Sequence, residues 1–259
     1  MLTFDIAQLE PWLGALFWPF VRIGACLMVA PVFGSSYVPA RLRIVLAAAV
    51  TLLVSPLLPP PSDTPLLSAA GIAVTVQQLI IGVTLGFVLQ LVFDALSLAG
   101  QLLANGMGLG FAFNLDPLRG VSTPALGQLY VVLGTLIFLA LDGHLAIIQL
   151  VVDSFRGLPV GPEGLQLAEI RAVADWGTQL FAGALRIALP GVTAMLVVNL
   201  AFGVISRAAP ALNLFAVGLP VTLIFGIAVV LFGLPMIQVG FLDILADCMQ
   251  FLRMLVGAG

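Results

Sequence analysis

The sequence contains no lysine, one histidine (His144) and two cysteines (Cys26 and Cys248) in 259 residues. Only 8% of its residues are charged, against roughly 25% in a soluble domain. Each shortage excludes something. Nine scattered basic residues, all arginine, and a net charge of −3 form no basic stripe, so nucleic acid is not a partner to look for. A single histidine and two distant cysteines do not build a metal site, and Cys26 and Cys248 read as small buried hydrophobes, not as a disulfide. No nucleotide-binding motif or other cofactor signature is present, so no cofactor is expected. An intramembrane protease needs a nucleophile with its base, or paired aspartates. His144 stands alone, no serine has a nucleophile context, and Asp94 and Asp142 have no supporting motif. The chain reads as non-enzymatic. Residues 1–10 hold Asp5 and Glu10 and no basic residue, the wrong sign for a secretory leader, so the first apolar run is expected to be retained.

What the sequence has in abundance is apolar length. Hydrophobic residues make up 61% and the mean hydropathy is +1.21, the mark of an all-α polytopic membrane protein in contact with lipid. Pro11–Phe33 is apolar apart from Arg22. The punctuation that follows, with Pro31, Gly34, Pro39, Arg41 and Arg43, predicts a tight turn capped by Ser35 or Ser36. Residues 44–58 form a short charge-free segment ending at prolines 56 and 59–61. Thr64–Phe93 is charge-free, and its helix should persist to about Leu103; Gly82 and Gly86 are spaced to let another helix approach. Gly120–Leu141 is again uncharged and stops at Asp142-Gly143-His144. Residues 153–176 are the most polar and predict short surface helices. Gly177–Ser206 is apolar around Arg186, with a kink expected at Pro190-Gly191. Ala208–Leu242 is uncharged over 35 residues, ~50 Å as a helix against ~30 Å of hydrocarbon. It is either a long bent helix or one buried in protein. Arginines divide four against three between the two sides of a six-segment topology, which assigns no orientation.

One stretch breaks the pattern. Asn105–Pro124 carries Gly106, Gly108, Gly110 and Gly120, with Met107, Leu109, Phe111, Phe113 and Leu115 between or after them, and stops at Asp116-Pro117. Glycine at every second position is costly in a helix, so non-helical backbone is expected. Apolar loop residues avoid water, and irregular backbone at membrane depth is tolerated only inside protein or along a cavity. The stretch should fill or line a passage. Arg22, Arg186, Asp94, Asp142 and His144 are ionisable groups within or at the ends of apolar runs, hence either functional or paired, capping or snorkelling. A stand-alone secondary transporter with broken helices remains an alternative class, although no matched pair of broken segments occurs in two equivalent halves.

Three ordered blocks together resemble the FliR family of type III export-gate proteins. They are R-I-G…A-P-V-F-G…V-P-A-R-L-R (Arg22–Arg43), N-G-M-G-L-G-F-A-F-N-L-D-P (Asn105–Pro117) and R-A-A-P-A-L-N-L-F-A-V-G-L-P (Arg207–Pro220). The resemblance implies bent helical hairpins with kinked long helices, in a FliP-like part (1–176) followed by a FliQ-like hairpin (177–259). It implies assembly with FliP-like and FliQ-like subunits, association with FlhB-like and FlhA-like export proteins, unfolded protein substrates, and residence in the bacterial inner membrane at the flagellar basal body. The family's plug maps onto Gly106, Met107, Gly108, Gly110, Phe111, Phe113, Asp116 and Pro117. Arg22, Pro31, Gly34, Pro39, Arg41, Arg207, Pro210, Asn213, Gly218 and Pro220 are expected to serve packing and assembly.

Overall fold

The computed structural model describes residues 6–59, 64–109, 125–161, 164–208 and 214–257. Among them it is all helical. α1 is Ile6–Val29, α2 Ala40–Val54 and α3 Ala69–Gly106; a 3-10 turn, Ser55–Leu57, follows α2. α4 is Ala125–Ala140, α5 Gly143–Gly157, α6 Leu167–Trp176, α7 Thr178–Ala208 and α8 Leu214–Leu255. Five stretches are long and apolar enough to cross a membrane: Trp12–Val29, Ala40–Leu57, Ala69–Gly106, Leu167–Ala208 and Gly218–Leu255. α4 and α5 qualify as a sixth if their 70° bend is taken as one broken span. The protein is an all-α integral membrane protein.

The overlong last segment is one continuous helix, α8. It is a single helix of 42 residues with Pro220 and Pro235 inside it, and only 22% of its apolar window is buried within this chain. α7 likewise continues through Pro190. Proline removes one backbone donor at each such position.

The helices cluster into two compact units. The first comprises residues 1–91, 138–177 and 246–259; the second comprises 92–137 and 178–245. In the first unit, α1 lies directly against α3 because two glycines permit it. A Cβ on Gly82 would collide with the Arg22 carbonyl, and one on Gly86 would sit 2.7 Å from the Cys26 carbonyl oxygen. Trp18, next to this contact, donates its indole N–H to Thr75 at 3.2 Å. Cys26 and Cys248 are both buried free thiols; Cys248 donates weakly to the Val88 carbonyl at 3.7 Å.

Arg22 is the polar centre of this unit, and its side chain is wholly buried. Nε donates to Gln78 Oε1 on α3 at 2.8 Å. Nη1 donates to the carbonyl and hydroxyl oxygens of Ser154 on α5 at 3.0 and 3.1 Å, and Nη2 donates to the Leu158 carbonyl at 2.7 Å. The Phe155 ring covers the guanidinium at 4.1 Å. A planar fork with five donors is the side chain suited to this task. The bonds lie at the C-terminal end of α5, where positive charge is favoured; the Ser154 carbonyl also accepts the Leu158 N–H at 2.9 Å.

The turn between α1 and α2 departs from expectation in one respect. The N-cap position of α2 is Pro39, without a side-chain cap bond, so neither Ser35 nor Ser36 caps it. Arg43 instead reaches back from α2, donating to the Ser35 and Val38 carbonyls. Proline at the cap offers no side-chain acceptor, and a downstream guanidinium ties the turn from the other direction. Within the turn, Phe33 N–H bonds the Pro31 carbonyl at 2.8 Å around Val32 at φ 69°, a tight and strained turn for a β-branched residue. Gly34 closes beneath it, where a Cβ would lie 2.7 Å from the Met28 carbonyl oxygen.

In the polar stretch α6 has a complete capping box: Glu169 accepts from the Gln166 N–H at 2.8 Å. Trp176 at its end stacks on Phe251, with centroids 4.9 Å apart and planes 5° from parallel. Asp142 adopts φ 55° immediately before α5 and leaves its side chain out of the cap. Its carbonyl takes the first α5 amides, those of Leu145 and Ala146.

Two outcomes test this packing in the detergent-solubilised chain. Gly82→Ala should lower stability by about 1–3 kcal/mol because the added methyl meets backbone, whereas Gly233→Ala, with open space around it, should raise it by about 0.5–1 kcal/mol. Thermal unfolding read by circular dichroism distinguishes the two signs. Arg22→Met should cost about 1–3 kcal/mol for each buried oxygen it strands. Arg156→Met, at a surface ion pair 3.5 Å from Asp153, should change stability by less than about 1 kcal/mol; equal melting temperatures for the two variants would contradict the role given to Arg22.

Candidate functional site

The glycine-rich stretch is entered from α3, and the way α3 ends is the most informative local geometry in the second unit. A helix leaves its last four carbonyls without intrahelical donors. Here the chain reverses at Gly108, whose φ of 80° suits glycine. Gly108 N–H bonds the Asn105 carbonyl at 3.1 Å, and Leu109 N–H bonds the Ala104 carbonyl at 3.0 Å. These are the two bonds of a Schellman motif. Met107 N–H takes the Leu103 carbonyl at 3.0 Å. The helix thus runs three residues beyond the expected Leu103, because a glycine at its C-terminal end terminates a helix better than one in its middle interrupts it.

The motif itself leaves the Gly106 carbonyl, and α7 supplies its donor. Asn199 Nδ2 donates to Gly106 O at 2.9 Å. From α8, the Thr222 hydroxyl bonds its own Leu219 carbonyl at 2.9 Å and stands 3.5 Å from the Met107 carbonyl. With one proton, the hydroxyl serves the nearer oxygen first. Met107 is 3% exposed and fills the notch made by Gly226, where any Cβ would strike its side chain. Gly106 faces Met195 on α7, where a side chain at Gly106 would meet the Met195 Cβ at 3.3 Å, and Met195 is itself buried.

Of the residues expected to form the plug, Gly106, Met107 and Gly108 are therefore placed at the end of α3, with Met107 packed inward. Gly110, Phe111, Phe113, Asp116 and Pro117 lie outside the described residues, as do Pro210 and Asn213 of the packing set. Arg22 and Pro31 are buried in the first unit, Gly34 is half-buried, and Pro39 and Arg41 are exposed. Arg207 is exposed at the end of α7; Gly218 is buried and Pro220 exposed near the start of α8. These packing residues do not converge on one place. Arg22 and Gly34 shape the first unit, whereas Gly218 and Pro220 belong to the second.

Of the other ionisable groups singled out, Arg186, Asp94 and Asp142 are exposed in this chain and His144 is half-buried. Among the described residues no group of three or more His, Cys, Asp or Glu side chains could hold a metal. An open cleft of about 250 Å³ in the second unit is lined by Leu103, Tyr130, Pro190, Gly191, Phe232 and Met236, among others. Its lining is apolar apart from the Tyr130 side chain.

Sequence reasoning missed Asn199 and did not give Gln78 a role. The available signal was a lone amide for Asn199 and the adjacent pair Gln77-Gln78 in an apolar helix, where such groups generally need polar partners. The partners, a carbonyl 93 positions earlier for Asn199 and a guanidinium 56 positions earlier for Gln78, could not be read from neighbouring residues.

Comparison with known proteins follows the same outline. Residues 13–248 match the model of the family described as bacterial export proteins, family 1. The chain is 42% identical over 237 residues to flagellar biosynthetic protein FliR of Pectobacterium carotovorum, covering 92% of this chain and 90% of the relative. It is 38% identical over 237 residues to FliR of Escherichia coli K12, with the same coverage. FliR of Aquifex aeolicus is 32% identical over 239 residues, 91% of each chain. With apolar helices of membrane length, a glycine-capped α3 and a family match along nearly its whole length, the chain belongs to bacterial export proteins, family 1.

Proposed function

We propose that this chain is a component of the flagellar protein export apparatus, in which it forms and plugs the channel through which unfolded subunits cross the inner membrane. The observation that carries this reading is the 42% and 38% identity to flagellar FliR proteins over nine-tenths of the chain. The apolar helices support membrane residence. The partners in this reading are FliP-like and FliQ-like gate subunits and FlhB-like and FlhA-like export proteins. Residues 1–176 take the FliP-like part and 177–259 the FliQ-like hairpin.

The chain's contribution is steric and not catalytic. Apolar side chains from the stretch beginning at Gly106 obstruct the passage to water and ions, and substrate displaces them. Glycines keep the energetic cost of that displacement low, since they restrict backbone rearrangement least. Energy for transport comes from partners or from the membrane potential.

Genetic replacement is the direct test. Expressed in an Escherichia coli strain lacking its FliR, this chain should restore flagellar assembly and swimming. Absence of flagella despite membrane insertion and copurification with the host gate subunits would count against the reading. Within an assembled particle, deletion of residues 106–114 should raise ion conductance across a planar bilayer, and unchanged conductance would remove the plug from the proposal. A stand-alone transporter would instead be stable and active when purified without partner chains.

A further inference from the structure

In the first unit α5 and α8 finish side by side, and the cleft between them is apolar at one end and charged at the other. The two ends meet at Gly157, where a Cβ would strike the Val256 carbonyl, so glycine lets them close together. Ahead of that contact lies a cleft of about 270 Å³, lined by Ala146, Gln149, Leu150, Asp153, Met249 and Arg253. Ala146, Leu150 and Asp153 fall at i, i+4 and i+7 of α5, hence on one helical face. Met249 and Arg253 are four apart on α8 and share a face in the same way. On both walls the apolar residue stands farther from the helix end and the charged residue nearer to it. Over the ~10 Å of α5 between Ala146 and Asp153, the lining changes from aliphatic to ionic.

The two charges line one cleft without joining. Asp153 is half-buried and pairs with Arg156, which does not line the cleft, at 3.5 Å. Arg253 is exposed and has no ion pair among the described residues. A carboxylate and a guanidinium held apart suit a guest that carries both signs. Two converging C-terminal helix ends favour its cationic part, since the last carbonyls of a helix carry partial negative charge. The level along α8 is that of a headgroup: Arg253 lies in the last turn of a helix of membrane length. Phe251 stacks there on Trp176, and tryptophan gathers at membrane–water interfaces. We propose that this cleft binds a zwitterionic phosphoethanolamine lipid, with its phosphate at Arg253, its ammonium at Asp153 and the start of its acyl chains along Leu150, Ala146 and Met249. Guanidinium–phosphate and ammonium–carboxylate bonds are both charge-assisted. A choline headgroup has no N–H to give the carboxylate, and a glycerol headgroup brings no cation to it. The apolar end of the cleft selects a lipid over a soluble phosphoethanolamine.

The test uses the full-length chain in a non-ionic detergent, with native mass spectrometry counting the lipid it retains. Dioleoyl phosphatidylethanolamine, phosphatidylcholine and phosphatidylglycerol are offered at equal concentration. The unaltered chain should retain the ethanolamine lipid roughly fivefold over each of the others, the discrimination given by one partly exposed charge pair. Asp153→Asn should bring the ethanolamine and choline lipids level, and Arg253→Gln should weaken retention of all three. Arg156→Gln removes the surface partner of Asp153 and nothing that lines the cleft, so the preference should survive it. Soluble glycerophosphoethanolamine at the concentration of the lipid should not displace it. Equal retention of the three lipids by the unaltered chain, or a preference for phosphatidylglycerol, overturns the proposal without recourse to any variant. A preference that persists in both Asp153→Asn and Arg253→Gln, or is lost in Arg156→Gln, overturns the site. Displacement by the soluble compound overturns the assignment to a lipid. Each outcome is read without export, so genetic replacement decides the export role separately.

Discussion

A polar group deep among apolar helices has no water to fall back on, and this constraint governs the first unit of the protein. Each unhydrated carbonyl or guanidinium must find its partner in the chain itself. In the first unit one arginine meets the constraint for several groups together: the Gln78 amide oxygen, the Ser154 hydroxyl and carbonyl, and the Leu158 carbonyl. In the second unit the end of α3 is closed by the Schellman turn and by the amide of Asn199, an exposed residue of α7. Hydrophobic length brings helices into the membrane. These few polar contacts then select which helices pair and at what depth, since apolar faces alone slide at little cost.

Small residues do the complementary work. Gly82 and Gly86 let α1 approach α3 closely enough for Arg22 to reach Gln78. Gly226 opens the space for Met107, and Gly183 and Gly240 do the same for Ile244 and Ile187 where α7 meets α8. Glycines in helices are a loss in propensity. They persist here where backbone-to-backbone approach or a seated side chain returns more than the loss. Gly203 and Gly233 are different, since neither has an atom of this chain near its missing Cβ.

Much of the architecture was legible in the residues. Apolar runs gave the helices, Asp142-Gly143 gave the break between α4 and α5, and the Gly82–Gly86 spacing gave a helix contact. Those signals are local, so sequence carries them. The cap was assigned to the two nearby serines, whereas Arg43, counted only among the punctuation of the turn, is the side chain that ties it. Asn199 and Gln78 escaped because a lone amide announces a need without naming its partner. Prolines 220 and 235 fall inside the run read as one long segment, and α8 contains both, because flanking apolar residues sustain a helix that loses single bonds. At the glycine-rich stretch, the helical end was underestimated by three residues, since Gly106 and Gly108 form a cap as readily as a loop.

The long reach of Arg22 also has a consequence in time. Ser154 follows it by 132 positions. At about 5–20 residues per second of synthesis, the guanidinium enters the membrane roughly 7–26 s before its main acceptor exists. For that interval α1 carries an unfinished charge, with only Gln78 arriving early. The growing chain must keep the arginine at the hydrated surface, or shelter it beside the insertion machinery, until α5 is made. α1 is therefore made well before α5, and its arginine is settled only when α5 arrives.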